Sequence, residues 1–318
     1  MLRALAIGLL LPAAAAAGGF SAGWPVDCTL GESCFFLNFF DRDPGPATLD
    51  HLCASQTYDG HDGTDIAVPT LAAMQAGVAA RAAAPGTVLR VRDGEPDGAY
   101  LAGEPVDGRE CGNGVVIDHG KGWTGLYCHL RKGSVQARPG QMVTPRTVIG
   151  QVGLSGMTEH PHLHFELQKD GQSLDPFNPE PGASCATDPA QTLWDAQPAT
   201  PGGGLLELGF ANAVPDYKAL KLGQFPATPN ANAPALVLWA YGHGARAGDV
   251  LRLEISGPLG FRFAHDATLE HTQALFMRAG GRKRPAVGWS VGDYQGRITL
   301  IRDEKLLQSR AITLRIGD

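Results

Sequence analysis

Two histidines that alternate with apolar residues are the most informative chemical feature of this 318-residue sequence. Residues 161–167 read PHLHFEL, and strict alternation of polar and apolar residues is typical of a β-strand. Residues two apart in a strand point to the same side, so the imidazoles of His162 and His164 should lie next to each other. Such a pair is half of a metal site or two polar residues on a solvated face, and the pair alone leaves both interpretations open.

A second segment pairs a histidine with a carboxylate. His61 and Asp65 are four residues apart, and Gly60 and Gly63 allow a tight turn between them. The segment after Asp65 has the composition of a strand, so the turn could bring His61 back beside Asp65. A lone H-x-x-x-D is more often an ordinary polar turn, and that alternative stays open here.

A third histidine lies in a strand predicted over residues 123–130. Alternation predicts that Tyr127 and His129 share one face, while Cys128 and Leu130 take the other. Taken alone, His129 could equally be a surface or a core histidine.

In chain order, these segments resemble the signatures of the lysostaphin/LytM-type zinc metallopeptidases, peptidase family M23. The signatures read GHDGTD at 60–65, YCHL at 127–130 and HLHFE at 162–166, with further strand matches at 85–88 and 114–120. The resemblance covers about residues 55–177. It implies a mainly β fold in which a groove runs over an antiparallel sheet, and it implies zinc endopeptidase activity.

The resemblance also implies roles for individual residues. His61, Asp65 and His164 would bind one zinc ion per chain, and His129 and His162 would serve catalysis without binding the metal. Some relatives that only activate other cell-wall enzymes have lost ligands, whereas this chain has the expected residue type at all five positions.

The chemistry of these residues agrees with that assignment. Two histidines and one carboxylate are a catalytic zinc set that leaves a fourth position for water, whose pKa the metal lowers towards about 7. No HExxH motif is present to supply a helical glutamate as base. We therefore expect His129 and His162 to orient the water, take its proton and hydrogen-bond the oxyanion. Glu166, on the strand face of His164, is expected either to support that ligand or to be solvated.

Some positions depart from the family pattern. Cys128 stands where relatives usually have a small residue, and alternation predicts that it points away from the metal. His160 is expected to line the groove without binding metal. The loops at 70–84 and 93–110 look longer than a minimal version of the fold and are expected to shape the cleft.

The six cysteines all lie within the first 185 residues. Residues 1–17 combine one basic residue, a short apolar run and small residues, as a secretory signal peptide does. An even number of cysteines behind such a segment indicates disulfides in an oxidising compartment. We expect Cys28–Cys34, which are close in sequence, and Cys111–Cys128, which flank one hairpin-like segment. The alternative, a zinc–thiolate cluster, lacks the C-x-x-C motif it would normally use.

The sequence predicts a metallopeptidase domain at 18–185 with a Cys-rich N-terminal segment, a Pro/Gly-rich linker at 186–204 and a small β-sandwich at 205–318. The predicted sandwich strands lie at 236–240, 250–255, 286–289, 296–301 and 311–316. The sandwich has no cysteine and no recognisable catalytic motif, and His265 and His271 are predicted to be surface residues.

The net charge of −6 and the absence of a basic block argue against nucleic acid or an anionic membrane as partner, and no segment after the signal resembles a transmembrane helix. We therefore expect a secreted, periplasmic zinc endopeptidase that cuts peptidoglycan stem peptides or cross-links through a zinc-activated water and two histidines. Alternatives are a zinc peptidase acting on non-wall proteins or peptides, and a regulatory activator of cell-wall hydrolases. The C-terminal domain would bind substrate, position the enzyme or bind a regulatory partner; the sequence gives no oligomeric state.

Overall fold

The computed structural model describes residues 19–180, 185, 192–200 and 202–317. The predicted signal peptide at 1–17 lies outside the described residues, as do residues 186–191 of the predicted linker, so these domain boundaries stay predictions. The described chain is mainly β and has two separate hydrophobic cores, one in an N-terminal unit (residues 19–200) and one in a C-terminal unit (202–317). The predicted mainly β fold is confirmed.

One large sheet organises the N-terminal unit. Its strands and the other elements of this unit are β1 Phe35–Phe36, β2 Thr64–Ala67, α1 Leu71–Ala76, β3 Ala79–Arg81, β4 Gly86–Arg92, β5 Asn113–Gly120, β6 Trp123–Leu130, β7 Met142–Val143, β8 Val148–Gln151, β9 His162–Lys169 and β10 Gln172–Leu174. The sheet order is β1-β2-β9-β6-β5-β4-β7, with β10 also paired to β9 and with β3 and β8 forming a separate pair. All these pairings are antiparallel.

The central strand β9 is buried on both faces, which is why it can hold polar side chains rigidly. Leu163, Phe165 and Leu167 point into the core, and each is at most 1% exposed. The alternate residues face the other side of the sheet, where His162 and His164 are also buried. Polar groups buried on a central strand need partners, so this side must be a built site rather than a solvated surface.

The loop at 70–84 folds into α1 and the short strand β3. The helix begins at Thr70, whose side chain accepts a hydrogen bond from the Ala73 amide, and it ends at Gly77, whose φ of 94° disfavours other residues. The segment therefore packs as short elements beside the large sheet.

Two sheets form the C-terminal unit. Its elements are β11 Gly204–Ala211, α2 Tyr217–Lys221, β12 Ala235–Ala245, β13 Val250–Ser256, β14 Arg262–Thr268, β15 Gln273–Lys283, β16 Gly292–Arg302 and β17 Lys305–Ile316. One sheet has the order β11-β12-β15 and the other β14-β13-β16-β17. Buried side chains of both sheets share one core, which is the arrangement of a sandwich.

The strand predicted at 286–289 is wrong. Pro285 has no amide hydrogen to donate to a sheet, and Gly288 closes a turn onto the Pro285 carbonyl with a φ of 81°. Trp289 is nevertheless buried, and its indole donates to the carbonyl of Ala233 at 2.8 Å. The pattern therefore identified a core residue but not its backbone conformation.

The two units pack directly against each other. A cluster of apolar side chains, here called the junction core, joins Phe35, Leu37 and Ala67 of the N-terminal unit to Leu206, Ala211, Leu220, Trp239 and Tyr241 of the C-terminal unit. The imidazole of His243 lies 4.5 Å from the ring of Phe35, measured between ring centroids. The three-stranded sheet of the C-terminal unit therefore sits beside β1 and β2.

Three disulfides link the six cysteines. The predicted pairs Cys28–Cys34 and Cys111–Cys128 are both present, and the third pair is Cys53–Cys185. No cysteine is left free, so the alternative of a zinc–thiolate cluster is wrong. Within the described ranges, every helix is too short or too polar to cross a bilayer.

Candidate metal centre

Three buried side chains converge on one point of the N-terminal unit. Nε2 of His61 lies 3.1 Å from Oδ1 of Asp65 and 3.2 Å from Nδ1 of His164. Nδ1 of His164 lies 2.9 Å from the same Asp65 oxygen. The structure thus brings together the three residues predicted as metal ligands, each offering one ligand atom.

Strand register explains two of the three positions. In the antiparallel pair of β2 and β9, Asp65 lies directly opposite His164, so the two side chains stand on the same face. This side of the sheet, which also carries His162, is called the metal face below. A Cβ at Gly63 would lie 2.6 Å from Cε1 of His164, so only glycine lets that imidazole lie against the turn.

The turn before β2 supplies the third position. Nδ1 of His61 donates to the carbonyl of Phe39 at 2.6 Å, so Nε2 is the nitrogen left for the cluster. A hydrogen bond of this kind orients a ligand ring before any metal arrives.

Asn38 holds the other side of the carboxylate. Its amide donates to Oδ2 of Asp65 at 2.8 Å, which leaves Oδ1 turned towards the two imidazoles. Asn38 follows β1 and lies 27 residues before Asp65. No motif links the two residues in the sequence, so sequence reasoning missed Asn38.

The electrostatics of the cluster favour a positive charge between these ligands. Burial opposes ionisation of Asp65, but the neighbouring imidazoles of His61 and His162 outweigh it and hold the pKa of Asp65 well below its usual range. Burial lowers the pKa of His164, but hydrogen bonds and charges from Asp62 and Asp65 outweigh it and raise that pKa to about 10.

The donor set fits zinc. Two imidazole nitrogens and one carboxylate oxygen are typical of catalytic zinc sites. Ligand atoms about 2.1 Å from a tetrahedral zinc lie about 3.4 Å from each other. The observed separations of 2.9 to 3.2 Å are close to that value, so small side-chain movements would accommodate the ion.

His162 presents one free nitrogen to the centre. Its Nδ1 lies 2.8 Å from the carbonyl of His160 and 3.2 Å from the hydroxyl of Thr158. A carbonyl only accepts, so Nδ1 carries the proton and Nε2 of the neutral ring is an acceptor. That Nε2 lies 3.3 Å from Oδ1 of Asp65.

His129 is arranged in the same way. Its Nδ1 donates to the carbonyl of Ser155 at 2.8 Å, and its ring centroid lies 4.6 Å from that of His162. Burial, followed by the neighbouring imidazoles of His162 and His164, lowers the pKa of His129 well below 6.5. The structure therefore places two imidazoles beside the three-residue cluster, each held through Nδ1 by a backbone carbonyl and each with Nε2 available.

The predicted faces of β6 are wrong. Tyr127 lies opposite Phe165 in the core, and Cys128 lies opposite His164, so Cys128 is on the metal face rather than pointing away. His129 reaches the centre because its φ of 61° interrupts the alternation where the pairing of β5 with β6 shifts register. A bulge of this kind re-aims a side chain, and strict alternation cannot foresee it.

Two acidic residues surround the outer edge of His164. Oδ1 of Asp62 lies 3.4 Å from Nε2 of His164, and sequence reasoning had not singled out Asp62. Glu166, for which the sequence left a supporting and a solvated role open, is buried and accepts hydrogen bonds from Gln168 at 2.6 Å and Ser173 at 2.5 Å. Its carboxylate lies within 4.8 Å of a ring nitrogen of His164, farther away than Asp62.

A cleft of about 520 Å³ opens over the centre. His160 lines it, as predicted, while its Nε2 donates to the carbonyl of Val68 at 2.8 Å. Burial lowers the pKa of His160 to about 3, so this ring is neutral at physiological pH. His265 and His271, predicted to be surface residues, are exposed.

Comparison with known proteins relates the N-terminal unit to peptidases. Residues 59–176 match the family model described as Peptidase family M23. A Haemophilus influenzae protein described as an uncharacterized metalloprotease is 32% identical over 132 residues, which are 41% of this chain and 23% of that protein. Peptidoglycan DD-endopeptidase ShyA of Vibrio cholerae is 32% identical over 114 residues, 36% of this chain and 21% of ShyA. The matches thus span less than a quarter of these relatives.

Solved structures also overlap with this unit. The catalytic domain of a mutant of the prophage-encoded M23 protein EnpA from Enterococcus faecalis is 25% identical. The overlap covers 45% of this chain and 90% of that one, with a TM-score of 0.31.

Proposed function

We propose that this protein, whose residues 59–176 match the model of peptidase family M23, is a secreted zinc metalloendopeptidase that cuts peptide bonds in peptidoglycan. The observation that carries the proposal is the convergence of His61, Asp65 and His164 within 3.2 Å of one another, beside two further imidazoles. The activity named for ShyA, a peptidoglycan DD-endopeptidase, supports the choice of substrate.

His61 through Nε2, Asp65 through Oδ1 and His164 through Nδ1 would hold one zinc ion per chain. When bound, zinc supplies a Lewis acid that polarises a carbonyl and acidifies water. A centre closed by four protein ligands would be structural, whereas three ligands leave room for reacting groups.

His129 and His162 handle the proton. Each donates through Nδ1 to a backbone carbonyl, so Nε2 of the neutral ring can accept a proton from the attacking water. Once Nε2 carries that proton, it becomes a donor, and the same atom can then hydrogen-bond the oxyanion or pass the proton to the leaving amine. The rigid backbone partners keep both rings aimed at one point throughout.

The disulfides support export of the protein. Three disulfides among six cysteines support folding in an oxidising compartment such as the periplasm or the cell exterior. The signal peptide predicted at 1–17 agrees with export. Determination of the N-terminal residue of the mature protein isolated from a periplasmic fraction tests this part of the proposal.

The substrate is tested with purified peptidoglycan. We expect mass spectrometry of a digest by the zinc-loaded protein to reveal new peptide ends, and the position of those ends names the bond. The Asp65→Ala protein should bind no zinc, because it loses one of three ligands, and its activity should fall by about 10⁴-fold. The matched control, Asp59→Ala, removes an exposed carboxylate two residues before His61 and should keep stoichiometric zinc. Intact peptidoglycan after incubation with a protein that holds one zinc per chain would refute the wall substrate.

A further inference from the structure

The C-terminal unit forms part of the cleft that contains the candidate metal centre. Tyr217 and Lys221 of α2, together with Ala274 and Leu275 of β15, line the same cavity as His129 and His162. A substrate seated in this cavity would therefore contact side chains of both units.

The helix α2 is fixed in this position. Asp216 caps its first turn by accepting a hydrogen bond from the Ala219 amide, and Leu220 is fully buried in the junction core. At the end of the helix, a Cβ on Gly223 would lie 2.6 Å from Cβ of Ala72, so α2 and α1 are in close contact. Side chains on α2 therefore have a defined place relative to the catalytic imidazoles.

Lys221 carries a charge that the described part of the protein does not neutralise. It is half-buried, and it forms no ion pair with any described residue. Its ammonium lies 6.0 Å from the ring centroid of Tyr217, one turn earlier on the same helix. Burial is the largest cause of the lowered pKa of His160, and the positive charge of Lys221 lowers this pKa further. The charge of Lys221 therefore acts on a histidine that lines the cleft.

Two cations elsewhere in the described ranges are paired. Lys169 pairs with Asp170, and Arg302 is held by Asp249. Lys218, on the same helix, is exposed and lines a different cavity beside Asp97. Glu159 lines the same cleft as Lys221 but does not pair with it. An ammonium that lines a cleft without a counter-charge is available to pair with a carboxylate on a ligand, and such charge-assisted hydrogen bonds are stronger than neutral ones.

We propose that Lys221 is a specificity residue that binds a free carboxylate of the peptide substrate beside the scissile bond. The substrate class is then a peptide with an acidic side chain or a terminal carboxylate within reach of α2, and the C-terminal unit is part of the substrate site. This inference rests on the proposed peptidase function. A charge pair at a partly desolvated site adds binding and, above all, discrimination against uncharged analogues.

The test uses pairs of peptides that differ only in a carboxylate or carboxamide flanking the cleaved bond. With the zinc-loaded full chain, we expect kcat/KM to favour the acid by about fivefold. Lys221→Met should abolish that preference mainly through KM for the acid, and Lys221→Arg should restore most of it. Lys218→Met, on the same helix but outside the cleft, should keep the full preference. All proteins hold the same metal, so any attraction of the carboxylate to zinc cancels in the comparison.

The outcomes separate this inference from the proposed function. Cleavage without an acid preference, or a preference that survives in Lys221→Met, overturns the role of Lys221 and leaves the peptidase function standing. If the zinc-loaded wild type cuts no peptide, the proposed function fails. Titration calorimetry of the same peptides on the same proteins then decides the role of Lys221, because the acid-to-amide ratio of Kd should show the same pattern.

Discussion

The two sides of the cleft are held in place by different interactions. Its floor consists of the residues around the candidate metal centre in the N-terminal unit, and its wall is the helix α2 of the C-terminal unit. On the floor, each imidazole is fixed by strand register or by a hydrogen bond to a backbone carbonyl, as His162 is to His160. The wall is fixed by apolar contact, since Leu220 anchors α2 in the junction core. Directional bonds set the position of a reacting atom closely, whereas apolar packing sets only the shape of the space around it. We therefore expect the floor to carry out the chemistry and the wall to select the substrate.

Among substitutions that leave the metal in place, removal of one floor imidazole should produce the largest effect. We expect His129→Asn to lower kcat by about 10²-fold to 10⁴-fold, because a base at Nε2 is lost, while zinc content stays at one per chain. Asparagine is chosen because it tolerates the positive φ at this position better than most residues. Steady-state kinetics and metal analysis of the same sample measure both quantities.

The control for this prediction is His265→Asn, which removes an exposed histidine on β14 and should change neither value. Loss of zinc from His129→Asn would contradict the assignment, since it would make His129 part of the metal site. His129 would then belong with the residues that hold the metal, not with those that move the proton.

The wall should respond to a different substitution. Leu220→Ala leaves a cavity in the junction core and should lower the free energy of unfolding by about 3 kcal/mol. Because α2 loses its anchor, the preference for acidic peptides should weaken while zinc affinity is unchanged. Urea unfolding, metal titration and the peptide pairs described above measure the three quantities.

Leu238→Ala is the matched control, because Leu238 is equally buried but lies in the core of the C-terminal unit alone. It should cost similar stability and keep the acid preference. If both variants lose the preference, the wall depends on the stability of the whole unit rather than on the position of α2.

The sequence was most informative about the floor. Spacing and resemblance located His61, Asp65, His129, His162 and His164, and the structure brings all five side chains together. Those residues lie in short segments whose periodicity is visible in the sequence. Antiparallel pairing then places these segments side by side in the sheet. Their roles as ligands and bases remain proposals.

The remaining features depend on contacts between distant segments, which spacing alone cannot show. The re-aimed ring of His129 follows from a bulge whose partner lies on β5, so alternation along β6 misled the prediction for Cys128. The helix α2 has only five residues, too few for a periodic signal, and its place in the cleft follows from apolar packing across the junction.

Acid should loosen the junction between the units. His243 lies against Phe35, and burial lowers its pKa to about 4 from 6.5. The unfolded chain therefore binds a proton more readily, so this residue's contribution to stability is full above pH 6.5 and is lost as pH falls towards 4. The expected loss is about 3 kcal/mol at pH 4.

His243→Phe, which keeps an aromatic ring but cannot titrate, should flatten this part of the pH dependence of urea unfolding. The substitution His265→Phe, on an exposed histidine, should not. The measured quantity is the difference between each variant and the wild type at every pH, so protonation of other buried histidines and acid release of metal cancel. An unchanged slope in His243→Phe would place the acid sensitivity outside the junction.

The smallest expected effect comes from Asn38, a floor contact that no sequence motif indicates. Asn38→Ala removes the donor that holds Oδ2 of Asp65, so the carboxylate can rotate away from the two imidazoles. Substitution of a residue that orients a metal ligand typically weakens metal binding by about tenfold, and activity should return when zinc is added in excess. Asn212→Ala, an exposed position, is the control for zinc titration by competition with a chelator. If zinc affinity is unchanged while kcat falls, Asn38 acts on substrate rather than on Asp65. The floor of the cleft would then take part in substrate recognition together with the wall.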